Sequence, residues 1–88
     1  NDEMAIGAIS ALGSKAGKGV KIVGFDGTAD GIKAVKTGTL GATIAQQPAL
    51  LGKAAVDQAA DILAGKTVSK TTPIKVVLVT KDNAKDYE

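Results

Sequence analysis

Val20-Lys21-Ile22-Val23-Gly24-Phe25-Asp26-Gly27-Thr28-Ala29-Asp30-Gly31-Ile32 passes from an apolar run through a polar turn into a helical pattern. The run over 20–25 is almost continuously apolar, which predicts a strand buried on both faces. Thr28 and Asp30 open a helix with Ile32 and Val35 turned inward and Gly38 at its end. The same grammar follows at once. Leu40-Gly41-Ala42-Thr43-Ile44-Ala45 reads as a second strand. Gln46-Gln47 leads to Pro48, which suits the first turn of a helix running to about Leu63 and stopping at Gly65. Its inward stripe is Leu51, Ala55, Ala59 and Ile62 or Leu63. Upstream, Met4, Ala5, Ala8, Ile9 and Leu12 recur at helical spacing over residues 2–12, with Asp2 and Glu3 at the positive end of the helix dipole. A loop over 13–19 follows. Downstream, 66–73 is polar and aperiodic, 74–80 reads as a last strand, and the tail from Lys81 is polar. Helix and strand therefore alternate through three strand/helix units. That order predicts an α/β fold with right-handed crossovers and a parallel sheet. A leading helix with no strand before it, in a chain opening Asn1-Asp2-Glu3, leads us to expect a further strand upstream.

Composition narrows the function. The 88 residues carry eleven lysines and nine acids, a net charge of +2, with one Phe, one Tyr, no His and no Cys. Every basic residue is Lys, and the lysines are scattered from Lys15 to Lys85. A nucleic-acid surface clusters Lys and Arg, often with aromatic platforms, so no nucleic-acid partner is expected. Without His or Cys, thiol chemistry, the usual zinc sites and histidine general-base catalysis are unavailable. We expect no metal, no cofactor and no catalytic residue. Eighty-eight residues bury only about 60–65% of their unfolded surface, and a core of Ala, Val, Ile and Leu is light, so packing partners outside the segment are expected.

Asn1, Asp26 and Gln46 share a structural position. Asp26 ends the first strand, Gln46 ends the second, and Asn1 stands just ahead of the first helix. In a parallel α/β sheet these junctions fall at the carboxyl edge, where such sheets take their ligands. One carboxylate and two amides offer donors and acceptors to hydroxyl groups without the positive charge a phosphate calls for. That combination suits a neutral, polyhydroxylated ligand. Taken singly, each residue has a plainer reading. Asp26 before a helix reads better as a cap for backbone N–H groups, Gln46 as a solvated loop residue, and Asn1 as a chain end. Phe25, on the opposite face from Asp26, reads as core.

Two enzyme motifs are approached and missed. Gly24-Phe25-Asp26-Gly27-Thr28 is like the Asp-x-Asp-Gly-Thr run of haloacid-dehalogenase-type phosphatases. Gly24 replaces the nucleophilic Asp, so no covalent phosphoryl acceptor is present. Gly24, Gly27 and Gly31 do not form a dinucleotide fingerprint, and Gly65-Lys66-Thr67 ends a helix where a phosphate loop would begin one.

Three blocks read together carry more. Asn1-Asp2-Glu3-Met4-Ala5-Ile6-Gly7-Ala8, then Val23-Gly24-Phe25-Asp26-Gly27-Thr28, then Ala42-Thr43-Ile44-Ala45-Gln46-Gln47-Pro48 resemble the ribose-binding proteins, the sugar receptors of bacterial ABC transporters. The resemblance runs through essentially the whole chain in order and matches the C-terminal third of such a receptor. It implies two doubly wound α/β lobes joined by a three-segment hinge, with a monosaccharide between them and a permease as partner. It implies sugar contacts at Asn1, Asp26 and Gln46. It places residues 1–46 in the second lobe, 47–73 across the hinge and in a first-lobe helix, and 74–88 in a strand returning through the hinge. It also implies an extracytoplasmic location, periplasmic or lipid-anchored, and an N-terminal lobe that supplies the aromatics and arginines lacking here. Sugar-responsive repressors of the lactose-repressor type, and sugar sensor domains of membrane receptors, use the same frame. The Asn-Asp-Glu-Met and Phe-Asp-Gly-Thr blocks favour the transport receptor.

Overall fold

A computed structural model describes residues 1–88. Its elements are α1 (Asp2–Leu12), β1 (Val23–Asp26), α2 (Ala29–Thr37), β2 (Ala42–Ala45), α3 (Pro48–Leu63), β3 (Val77–Val79) and a closing 3-10 turn (Ala84–Tyr87). Thr28 caps α2 by accepting from Gly31 N–H, and Gly38 closes it in the left-handed region at φ 88°. Pro48 opens α3, where its missing N–H costs nothing. All three strands are shorter than the apolar runs that contain them.

β1 and β2 pair in parallel, Val23 with Ala42 through Asp26 with Ala45. The crossover α2 returns the chain to the start of β2 and packs on the sheet beside α1. The third strand departs from the all-parallel expectation: β3 runs antiparallel to β2, with Thr43 opposite Val79 and Ala45 opposite Val77. A parallel strand needs a crossover that travels back along the sheet. Here α3 leaves from the carboxyl end of β2 without packing back. The extended chain after it re-enters from that same end, so β3 can only run the other way.

The core lies on one face of this sheet. Ala5, Ile32, Val35, Leu40, Ala45, Val79 and Ala84 form one buried cluster, with Ile9, Ile22 and Val77 packed against it. The tail from Lys81, expected to be plain polar chain, contributes Ala84 to it. Asn83 fixes that turn, donating to Leu78 O and accepting from Thr80 N–H. The other face is bare. Val23 is 62% exposed and Phe25 44%, and Leu78, across β2 on the same face, is exposed too. The expectations that β1 is buried on both faces and that Phe25 is core therefore fail on that side, since α1 and α2 both lie on the face of Gly24. In α1, Ala5 is buried and Ile9 partly so, while Met4 points to solvent.

No residue of α3 is buried. Its expected inward stripe faces solvent, with Leu51, Ile62 and Leu63 all exposed. The Lys53–Asp57 pair on this helix, at 2.6 Å, raises the Lys53 pKa above 10.5 through its hydrogen bond and then its charge. Both side chains are solvated, so the pair adds little to stability. The Cα radius of gyration is 17.0 Å, where a compact domain of this length would have about 12 Å. Only 13 of 88 residues are buried. Such a core cannot offset the entropy of ordering a projecting helix. An isolated 1–88 polypeptide is expected to self-associate or to bind a hydrophobic dye without a cooperative melt. Gel filtration and calorimetry would reveal the contrary, a monodisperse monomer with a sharp transition.

Candidate functional site

The carboxyl ends of β1 and β2 and the amino ends of α1 and α2 meet at one edge. Asp26 is the last residue of β1. Its backbone has φ 121°, the only positive value at a non-glycine residue. Such a backbone costs about 1–3 kcal/mol and persists only where its surroundings impose it. The imposition is visible. Gly27, at φ 73°, crosses so close to β2 that a Cβ on it would lie 2.5 Å from Ala45 Cβ, and its N–H donates to Thr43 Oγ1 at 3.2 Å. The tight crossing turns Asp26 outward over the edge.

Gln46 Nε2 donates to Asp26 Oδ1 at 2.7 Å, and Gln46 N–H donates to Asp26 O at 3.3 Å. Two of the three residues singled out in the sequence therefore meet in a direct hydrogen bond. The cap expected of Asp26 is supplied by Thr28 instead, so the Asp26 carboxylate is left for other work. Asn1 hydrogen-bonds to neither residue. Its Oδ1 accepts from Met4 N–H at 3.0 Å and caps α1, which leaves its amide NH2 free to donate.

The residue that sequence reasoning passed over is Asp2. The helix dipole accounts for an acid at this position but not for its being fully buried. Its Oδ2 accepts from Thr28 N–H at 2.8 Å and Thr28 Oγ1 at 3.0 Å, and its Oδ1 accepts from Thr43 Oγ1 at 2.7 Å. Space for the carboxylate exists because Gly24 and Gly31 have no side chains. A Cβ on Gly24 would lie 2.1 Å from Asp2 Oδ1, and one on Gly31 2.0 Å from Oδ2. The available clues were two glycines in β1 and α2, a threonine at the start of α2 and a threonine within β2. None of these names its partner without the fold.

The two surface grooves of the chain lie elsewhere, one lined by α2 and Glu88 and the other between α1 and α2. Neither includes Asn1, Asp26 or Gln46. The Asp26–Gln46 edge carries a carboxylate and an amide joined by that hydrogen bond, with the Asn1 side chain capping α1. A carboxylate accepts from O–H groups and amides both donate and accept, so this set has the donors and acceptors that hydroxyl groups require.

Residues 1–67 match the profile of the periplasmic binding protein domain, and the chain belongs to that family. Among its relatives, the ribose import binding protein of Haemophilus influenzae is 51% identical over 81 residues, which is 92% of this chain and 27% of that protein. The ribose import binding protein of Bacillus subtilis is 50% identical over 78 residues, 86% of this chain and 25% of that protein. Among solved structures, an ABC transporter periplasmic solute binding protein from Actinobacillus succinogenes with bound D-allose superposes with a TM-score of 0.90. It is 34% identical, with 99% of this chain and 31% of that chain covered. A Mycobacterium smegmatis structure in complex with β-D-fucofuranose gives a TM-score of 0.85 at 32% identity, covering 98% and 29%. The chain spans about a quarter of the length of the curated relatives it matches.

Proposed function

We propose that this chain is the C-terminal part of a receptor that binds a monosaccharide, ribose foremost, reversibly and without chemistry, and delivers it to an ABC transporter permease outside the cytoplasm. One observation carries the reading: the Asp26–Gln46 hydrogen bond at the carboxyl edge of a parallel strand pair. The identity of about half to ribose import binding proteins supports the same reading separately. Asn1, Asp26 and Gln46 contribute this segment's share of the sugar contacts.

Residues 1–46 and the strand after Ile74 belong to one lobe in this reading. Residues 47–73 cross the hinge and place α3 on the other lobe, and 74–88 return. The projecting α3, the bare sheet face and the outward edge are what a segment cut from such a two-lobe body would show. A sugar that touches both lobes only when they are closed favours closure by its differential affinity. The closed form is then the one presented to the permease.

Titration calorimetry of the complete receptor against D-ribose, D-allose, D-galactose and D-fructose, with recovery of the sugar, tests this. Saturable one-to-one binding of ribose, recovered unchanged, is expected. A chemically altered sugar, or no binding to any of the four, would contradict it.

A further inference from the structure

We infer that Asp2 is a positioning residue of the ligand edge: its buried carboxylate sets the Asp26–Thr28 turn and ties the start of α1, where Asn1 stands, to that turn. The inference rests on the monosaccharide reading for its ligand, and on the hydrogen bonds alone for the turn.

The carboxylate has three polar contacts, and each leads to the edge. Thr28, two residues beyond Asp26, is held through both its N–H and its hydroxyl. Thr43 is held through its hydroxyl, and that hydroxyl accepts from the N–H of Gly27, next to Asp26. Asn1 is bonded covalently to Asp2. One side chain thus ties α1, the β1–α2 turn and β2, and it holds both residues that follow Asp26.

The hydrogen bonds also fix where the hydroxyl protons lie. Each threonine hydroxyl donates to the Asp2 carboxylate. Their lone pairs are then turned to the N–H of Gly31, in the first turn of α2, and to the N–H of Gly27, which sets the turn. An amide at position 2 cannot impose this. Whichever way it is turned, its NH2 faces either the Thr28 N–H or the Thr43 hydroxyl that should donate to it. Thr43 and Asp2 are both fully buried, so neither can touch a sugar. Any effect of theirs on affinity must pass through the residues they hold, the Asp26–Thr28 turn and the start of α1.

The complete receptor is the material for the test, with D-ribose as the probe and amide hydrogen exchange at Gly27 and Thr28 read without sugar. Asp2→Asn is expected to speed exchange at both amides, and Thr43→Val at Gly27, each by at least about tenfold, the worth of one lost charge-assisted or buried hydrogen bond. Both variants should weaken ribose binding by at least about tenfold. Thr43→Ser keeps the hydroxyl and should restore both readings to near wild type. Val35→Ala loosens the core away from the edge, and should lower the melting temperature while leaving ribose affinity near wild type. Unchanged exchange in Asp2→Asn would overturn the inference. So would faster exchange with unchanged affinity, or a loss of affinity in Val35→Ala equal to that in Thr43→Val. A wild-type receptor that binds no sugar would remove the ligand reading, and the exchange arm would still decide whether Asp2 sets the turn.

Discussion

Asp26→Ala in the complete receptor is expected to lose ribose affinity by two to four orders of magnitude. Two hydroxyl hydrogen bonds to an ionised acceptor are worth about 3–6 kcal/mol together, which is a factor of about 10² to 10⁴ in Kd. The fold makes this experiment clean. Thr28, not Asp26, caps α2, so the variant removes no helix cap. Asp26→Asn keeps the shape, yet its amide accepts at one end only, and binding should still fall markedly. Asp26→Gly separates binding from stability further. The φ of 121° at Asp26 is free of cost for glycine alone. The ligand-free receptor should then gain up to about 1 kcal/mol in stability while losing the sugar. Calorimetric titrations and thermal melts on the three variants provide the readout. Retention of ribose within about threefold by Asp26→Asn, a difference of roughly 0.6 kcal/mol, would remove Asp26 from the site.

Gly31→Ala should destabilise the receptor by at least about 3 kcal/mol, against the sign that helix propensity gives. An interior helical glycine replaced by alanine ordinarily gains about 1 kcal/mol. Here the new methyl would lie 2.0 Å from Asp2 Oδ2, with Oδ1 at 3.0 Å. Overpacking alone costs about 1–3 kcal/mol, and moving the carboxylate breaks hydrogen bonds to a buried charge worth about 1.5–3 kcal/mol each. Gly24→Ala meets Oδ1 at 2.1 Å and should behave alike. The collision has one identifiable partner, so in an Asp2→Ala background the added cost of Gly31→Ala should largely vanish. Chemical denaturation of the single and double variants would show this as strong non-additivity. Additive costs would mean that the glycine serves some other neighbour.

The sequence carried the alternation of elements because each strand-to-helix junction is marked locally. Thr28, Gly38 and Pro48 act through their own backbone preferences, which need no tertiary knowledge. Asp26 and Gln46 were legible for the same reason, since each terminates an apolar run. What failed depended on partners. Phe25 and the stripe of α3 were assigned inward from periodicity alone, and periodicity says which residues share a face without saying that anything covers it. The direction of β3 was misread because alternation implies a crossover that packs back on the sheet, and α3 does not. Asp2 was invisible as a buried group because two glycines and two threonines, spread from position 24 to 43, create its pocket only once folded. The plainer reading of Asp26 as a cap was locally reasonable, and it fell to a competitor two residues away.

The proposed receptor function requires that the Asp26–Gln46 edge hold the sugar. A crystal structure of the complete receptor with D-ribose measures that directly. Ribose hydroxyls are predicted within hydrogen-bond distance, about 2.5–3.2 Å, of both Asp26 carboxylate oxygens, the Gln46 amide and the Asn1 amide, with α3 packed on the opposite lobe. A sugar bound elsewhere, with the Asp26–Gln46 hydrogen bond intact and facing solvent, would contradict it.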